Sequence, residues 1–415
     1  MKNISVINEI NPLKKVLLHR PGRELLNLTP DSLEELLFDD IPYLKVAQDE
    51  HDYFAKVLKE NGVEVVYLED LMYETLNNNN ELTKKFIYQW LEEGDIKTKR
   101  WRDKLYEYLT NNYQGKDLIL KTIEGITLKE MGDDIKKYSL QDRIAPLDDL
   151  IVKPMPNLYF QRDPFACVGS GVVLNRMLYL TRRRETIYGE YIFKYHPNYK
   201  DVKHYYNRNN HANIEGGDII NLSKNVLAIG ISQRTSPDAI ELISRNLFND
   251  EDCLIDTVLA IKIPSTRAFM HLDTVFTRVD YDKYTIHPAI MKRLEVYEIK
   301  KASRKDANID DLDIKLLDMD LDKILAKYTN VDAVNLIYCG GDDMIAAARE
   351  QWNDGSNTLC IKPGTIICYE RNEITNNLLE KNGLNVIRIP SAELSRGRGG
   401  PRCMSMPLVR EEKDG

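Results

Sequence analysis

The 415-residue chain has no Cys-x-x-Cys pair among its six cysteines, no apolar run of membrane length and no excess of basic residues. The first absence removes the spacings of a zinc site or a disulfide framework, so free thiols in a reducing compartment are the expectation. A membrane-spanning helix needs roughly twenty predominantly apolar residues, and no stretch approaches this. The start, Met1-Lys2-Asn3-Ile4-Ser5-Val6, lacks the apolar core of a secretion signal. A net charge of −8 leaves no general basic face for nucleic acid or an anionic membrane. The composition therefore predicts a soluble cytoplasmic chain with neither partner. Its hydrophobic fraction of 43% is ample for a buried core.

What is present is a faint repeat. Phe54 to Leu68, FAKVLKENGVEVVYL, reads as an amphipathic helix closed by Asn-Gly and followed by a strand. Asn376 to Pro390, NNLLEKNGLNVIRIP, has the same order, and Ala239 to Ile263 runs from helix to strand through an acidic turn. Three such units predict a modular α/β fold with internal pseudo-symmetry. Hairpins are expected around Ser223-Lys224-Asn225 and at Pro363-Gly364. Between Glu74 and Asp149 apolar residues recur at helical spacing, which predicts a helical insertion. The charged stretch from Lys300 to Lys327 reads as a surface helix with its lead-in loop, its acids a solvated face and not a calcium loop.

Six segments carry reactive residue types at unusual density. Cys403 lies in Ser395 to Pro407, a glycine-rich loop with Arg396, Arg398 and Arg402, where nearby cations are expected to favour the thiolate. Asp163 follows Asn157 to Arg162 in a proline-rich loop. Glu215 and Asp218 flank a glycine pair just before a strand. His271 and Asp273 stand two apart, on one face if the segment is extended. Arg182 to Arg184 and Arg234 supply cations. Singly, each has a plain structural reading: a packed cysteine, a capping aspartate, a surface ion pair. Together they describe a pocket with a thiol, an imidazole, more acids than acyl transfer needs, and arginines. Extra acids suit a cationic group and arginines an anionic one, a pairing met by arginine itself.

The ordered motifs NLYFQRDPFA, IEGGD, MHLDT and RCMSMPL, with PGRE (Pro21 to Glu24) and ELLFDD (Glu35 to Asp40) near the start, make the chain similar to the bacterial arginine deiminase family, nearly end to end. The resemblance implies a five-bladed pseudo-symmetric α/β propeller formed by residues 1–73 and 150–415, with a helical domain inserted at 74–149. It implies hydrolysis of L-arginine to L-citrulline and ammonia through a covalent amidino-cysteine intermediate, without metal or organic cofactor. By motif, Cys403 resembles the nucleophile, His271 the general acid and base, Glu215 its orienting acid, and Asp163 and Asp273 the guanidinium clamp. Arg182 and Arg234 resemble ligands of the substrate carboxylate, Asn157 and Phe160 the pocket wall, and Arg398 a mobile-loop arginine; Gln161 and Gln233 depart from the family's usual Thr and Glu. Competing readings are agmatine deiminase, an amidinotransferase, and a non-catalytic arginine-binding sensor or moonlighting protein. A homo-oligomer is compatible with the sequence, which leaves the oligomeric state open.

Overall fold

The computed structural model describes residues 3–412 apart from 78, 133–139, 141–143, 145, 147, 265–268, 291–293, 304–307 and 309. Among the described residues, five sheets follow one rule: a central strand pairs antiparallel with one neighbour and parallel with the next. The central strand Leu13–Leu18 lies between Met406–Arg410 and Glu64–Tyr67, and Gly171–Leu174 lies between Phe165–Val168 and Lys203–Tyr206. Val226–Ile231 is flanked by Ile219–Ser223 and Thr257–Lys262, and Lys283–Ile286 by Phe276–Arg278 and Asn335–Tyr338. Thr365–Tyr369 stands between Leu359–Lys362 and Asn385–Ile389. Each parallel step needs a long crossover, supplied by the helices Leu44–Glu60, Ile187–Tyr195, Pro237–Phe248, Leu321–Thr329 and Glu373–Lys381. The three repeats legible in the sequence are three of these crossovers. In two of them the Asn-Gly ends the helix on a left-handed glycine, Gly62 (φ 77°) and Gly383 (φ 83°), a conformation only glycine adopts cheaply.

One expectation is corrected. The lead-in to Leu321–Thr329 is not a loop throughout: Leu312–Leu316 is a strand paired antiparallel with Glu295–Lys301, extending the third sheet to five strands. Its Leu312, Ile314 and Leu316 alternate with charged residues, a period of two that edge pairing exploits. Part of that stretch, at 304–307 and 309, lies outside the described residues. In the helical stretch, Asn80–Glu93, Lys99–Asn112 and Gly115–Glu124 are helices, and most of 133–147 lies outside the description. These helices pack Phe86, Trp90 and Leu105 into the same apolar cluster as Tyr188 and Tyr191 of the second crossover. A second cluster joins Phe38, Tyr159 and Phe160 to Cys403 and Met404, so the reactive loop rests on a core. Among the described residues no helix is long and apolar enough to cross a membrane.

Candidate active site

The site is built at equivalent places in the five sheets. Asp163 precedes the strand Phe165–Val168, Glu215 precedes Ile219–Ser223, and His271 and Asp273 precede Phe276–Arg278. Asn357 precedes Leu359–Lys362 and Cys403 precedes Met406–Arg410. Each residue thus sits where the chain enters the first strand of a unit. Three of these strand entries, at Asp163, His271 and Cys403, open on one cavity of about 130 Å³, lined also by Asn157, Phe160, Arg182, Arg234 and Arg398 among others. Glu215 and Asp273 are fully buried just behind this wall.

His271 donates from Nε2 to Glu215 Oε2 at 2.8 Å, and its Nδ1 lies 3.8 Å from Asp163 Oδ1. Burial opposes the imidazolium, but Asp163, Glu215 and Asp218 outweigh it and push the pKa up to about 9. The His271–Asp273 segment is not the extended strand expected: His271 is extended, and Leu272–Thr274 forms a 3-10 turn. The glycines of EGGD permit contact. A Cβ on Gly217 would stand 2.6 Å from His271 Nδ1, and one on Gly216 would run into the Arg162 carbonyl.

The arginines near Cys403 do not ionise it as the sequence suggests. Arg396 is half-exposed and pairs with Asp40 and Glu393. Arg402 is buried and donates to Asp273 Oδ2 at 2.7 Å and to Glu9, so two acids absorb its charge. Arg398 stacks on the Trp352 ring at 3.5 Å and lies 3.5 Å from Asp39. The sulfur itself is 3.7 Å from Asp273 Oδ2. Burial, then Asp273, Asp163 and Asp354, raise the thiol well above its ordinary value, against a smaller opposing effect of Arg402. The left-handed residue of the loop is Arg398 (φ 63°), not a glycine. The loop's glycines allow close approach: a Cβ on Gly397 would meet the Tyr159 hydroxyl, on Gly399 the Phe160 ring, and on Gly400 the Asn357 carbonyl at 2.6 Å.

Asp163 and Asp273 are both half-satisfied. Asp163 Oδ2 accepts from Arg182 at 2.9 Å and Asp273 Oδ2 from Arg402, while Asp163 Oδ1 and Asp273 Oδ1 are buried and accept no hydrogen bond from the described residues. A buried acceptor left unpaired costs about 1–3 kcal/mol, which a donor entering the cavity would relieve. Arg182 also makes a forked contact with Glu185, and Arg234 donates to Glu215 Oε2 at 3.2 Å while lying over the Tyr179 ring at 4.6 Å. Asn157 donates to the Leu36 carbonyl at 2.6 Å, and Phe160 packs on Tyr159. Asp163, Glu215 and His271 offer ligand atoms within 4.8 Å of one another, the spacing of a metal cluster. The guanidiniums of Arg182 and Arg234 already bring positive charge to the two acids.

Sequence reasoning missed three groups. Asn357 accepts from the Cys403 N–H at 3.0 Å and donates to the Asp273 carbonyl at 3.2 Å, tying the Cys403 loop to the Asp273 turn. Leu37 and Asp39, within ELLFDD, form part of the cavity wall. Glu9 holds Arg402 from the other end of the chain. Only ELLFDD carried a local signal.

A sequence model described as arginine deiminase matches residues 34–410. The chain is 56% identical over 413 residues to a protein named arginine deiminase from Treponema denticola, covering 99% of this chain and 100% of that one. It is 52% identical over 412 residues to one from Clostridium perfringens, covering 99% and 98%. Among solved structures, SxtG, an amidinotransferase from Microseira wollei, superposes with a TM-score of 0.55 at 13% identity, covering 99% of this chain and 98% of that one. AgrE, solved with ornithine and NAD+, gives a TM-score of 0.54 at 14% identity over 96% of this chain, which spans only 40% of AgrE.

Proposed function

The chain belongs to the arginine deiminase family, and we propose that it hydrolyses L-arginine to L-citrulline and ammonia through an amidino-cysteine intermediate. The observation that carries the site assignment is the pair of buried, unbonded oxygens, Asp163 Oδ1 and Asp273 Oδ1, beside a thiol and a protonated imidazole. A planar guanidinium donates to both at once, and hydrogen bonds to charged groups contribute about 1.5–3 kcal/mol each. The incoming cation also offsets the acids that keep Cys403 neutral, so binding promotes the thiolate where it is needed.

Cys403 then attacks the guanidinium carbon, and His271, held by Glu215, protonates the departing nitrogen. The now neutral His271 takes a proton from water as it attacks the amidino carbon, and collapse of the adduct releases citrulline. Arg182 and Arg234 are assigned the substrate carboxylate. Arg182 pairs with Asp163 in the structure; the substrate brings its own cation to that acid, and Arg182 is released to meet the carboxylate. Asn157, Phe160 and Arg398 complete the wall. No step requires a metal or organic cofactor. The five strand-strand-helix-strand units support closure into a five-bladed propeller, with 74–149 as the helical insertion.

The decisive experiment follows citrulline and ammonia from L-arginine, with agmatine in parallel and Cys403→Ala as control. Equimolar products from L-arginine alone, abolished in the variant, are expected. Turnover of agmatine instead would overturn the roles of Arg182 and Arg234, and no turnover of either would favour the sensor or amidinotransferase.

A further inference from the structure

The second carboxylate of IEGGD has no part in the mechanism above, yet Asp218 is fully buried and makes three short hydrogen bonds. A turn-capping aspartate would bond N–H groups of its own turn. The partners of Asp218 lie elsewhere. Its Oδ1 accepts the N–H of Leu272, directly after His271, at 2.8 Å. Its Oδ2 accepts the hydroxyls of Ser232 and Thr235, both at 2.6 Å, and these residues bracket Arg234. Ser232 Oγ in turn accepts the N–H groups of Arg234 and Thr235 at 3.0 and 3.1 Å, and Thr235 Oγ1 accepts the Glu215 N–H at 3.2 Å. A Cβ on Gly230 would collide with Asp218 Oδ1, so the neighbouring strand is shaped around the carboxylate.

We propose that Asp218 is the positioning residue that fixes the His271 turn and the Arg234 loop against each other, coupling proton transfer to recognition of the substrate's carboxylate. The proposal rests on the arginine-hydrolysing reading for the role of Arg234. An acceptor-only group suits that place, because Leu272 presents a backbone N–H, Ser232 Oγ already accepts two N–H groups and Thr235 Oγ1 one, and each hydroxyl donates its proton onward. Asparagine can serve Leu272 through its oxygen, but its NH₂ then faces a Ser232 oxygen with no lone pair left, and the Arg234 loop loses that tie. The charge matters as well as the bonds. His271 is faced by Asp218, Glu215 and Asp163, with Arg234 and Arg182 paired to the latter two, and losing the Asp218 charge lowers the imidazolium's pKa.

Two readouts test this, and the difference between the two ligands is the one that a merely structural aspartate would not move. Calorimetric binding of L-arginine and agmatine is compared in Cys403→Ala and Cys403→Ala/Asp218→Asn. We expect the second change to weaken L-arginine roughly tenfold or more, the effect of one lost charge-assisted hydrogen bond, with agmatine little altered. The His271 ring pKa, followed by NMR in Asp218→Asn, should fall. Thr235→Val, which keeps the carboxylate, should reproduce the loss of L-arginine affinity without the fall in pKa, and Thr235→Ser should restore it; this pair decides the case if Asp218→Asn does not fold. Equal loss for both ligands, or an unchanged His271 pKa with unchanged affinities, would overturn the proposal. Binding is read in an inert background, so a wild type that releases no citrulline would sink the deiminase reading and leave Asp218 still under test.

Discussion

Cys403 is a buried thiol facing acids, and its reactivity therefore belongs to the occupied site more than to the free protein. Because its pKa lies well above the ordinary thiol value, its thiolate fraction at neutral pH is small and grows about tenfold per pH unit. We expect alkylation of the Cys403 peptide by iodoacetamide, followed by mass spectrometry, to rise steadily across pH 7–9; a plateau below pH 8 would contradict this. The glycine beside His271 gives a second residue-scale expectation. With a Cβ on Gly217 only 2.6 Å from His271 Nδ1, Gly217→Ala must turn the ring away from Glu215, and citrulline release should fall by about 10²–10⁴, the range for a lost general acid-base. Gly216→Ala instead drives a Cβ into the backbone carbonyl of Arg162, and thermal melting should show it as a loss of stability. The reactive residues themselves were legible because they sit in dense local motifs. Their charge environment was not, since Arg402 looks like an activator in sequence and its guanidinium is committed to Glu9, 393 positions away.

At the scale of elements, the end of the strand Leu13–Leu18 is tied to the helix Leu68–Leu76 by a buried ionic group. His19 Nδ1 lies 2.9 Å from Glu69 and Nε2 3.4 Å from Glu24, within the PGRE motif. Burial opposes the charge on His19, but the two acids push its pKa up to about 10. His19→Leu would strand two buried carboxylates, and removing one partner of a buried pair typically costs about 3–5 kcal/mol; urea denaturation should show a shift of that size without loss of the native arginine-binding site. The crossovers ending in Asn-Gly were readable because a left-handed glycine is a sharp punctuation mark. Those ending at Tyr195 and Thr329 were not read as crossovers, although the second helix was expected within Lys300 to Lys327. The first leaves its helix through His196 in an extended conformation and the second through a left-handed Asn330 followed by Val331, neither of which stands out from ordinary loop sequence. Asn357 escaped for a related reason: it contributes at the strand entry of the fifth unit, and that equivalence exists only once the sheets are aligned.

For the whole molecule, buried charge sets the pH range of stability from both sides. Glu9 is penalised by burial, yet Arg402, Arg162 and Arg410 hold its carboxyl down to about 2 from 4.5; a depressed carboxyl contributes fully above about 4.5 and loses that contribution as pH falls through about 2. His19, raised from 6.5 to about 10, contributes fully below about 6.5 and loses it as pH rises through about 10. The urea midpoint should therefore be highest between about pH 4.5 and 6.5 as far as these two groups decide it, with Glu9→Gln flattening the acid side and His19→Leu the alkaline side. The α/β pseudo-symmetry was visible in three short repeats, but the sheet order was not, because the first sheet joins the two ends of the chain.

That sheet sets an order of events during synthesis. The strand Leu13–Leu18 takes its antiparallel neighbour from Met406–Arg410, so a strand made early waits for one made much later. Cys403 stands three residues ahead of that late strand, and its carbonyl accepts from Arg162 in a loop made long before. On the proposed mechanism, a chain made only as far as His271, Glu215 and both aspartates still lacks the attacking thiol, and Asp273 still lacks its partner Arg402. That site is complete only once the strand that follows Cys403 has docked.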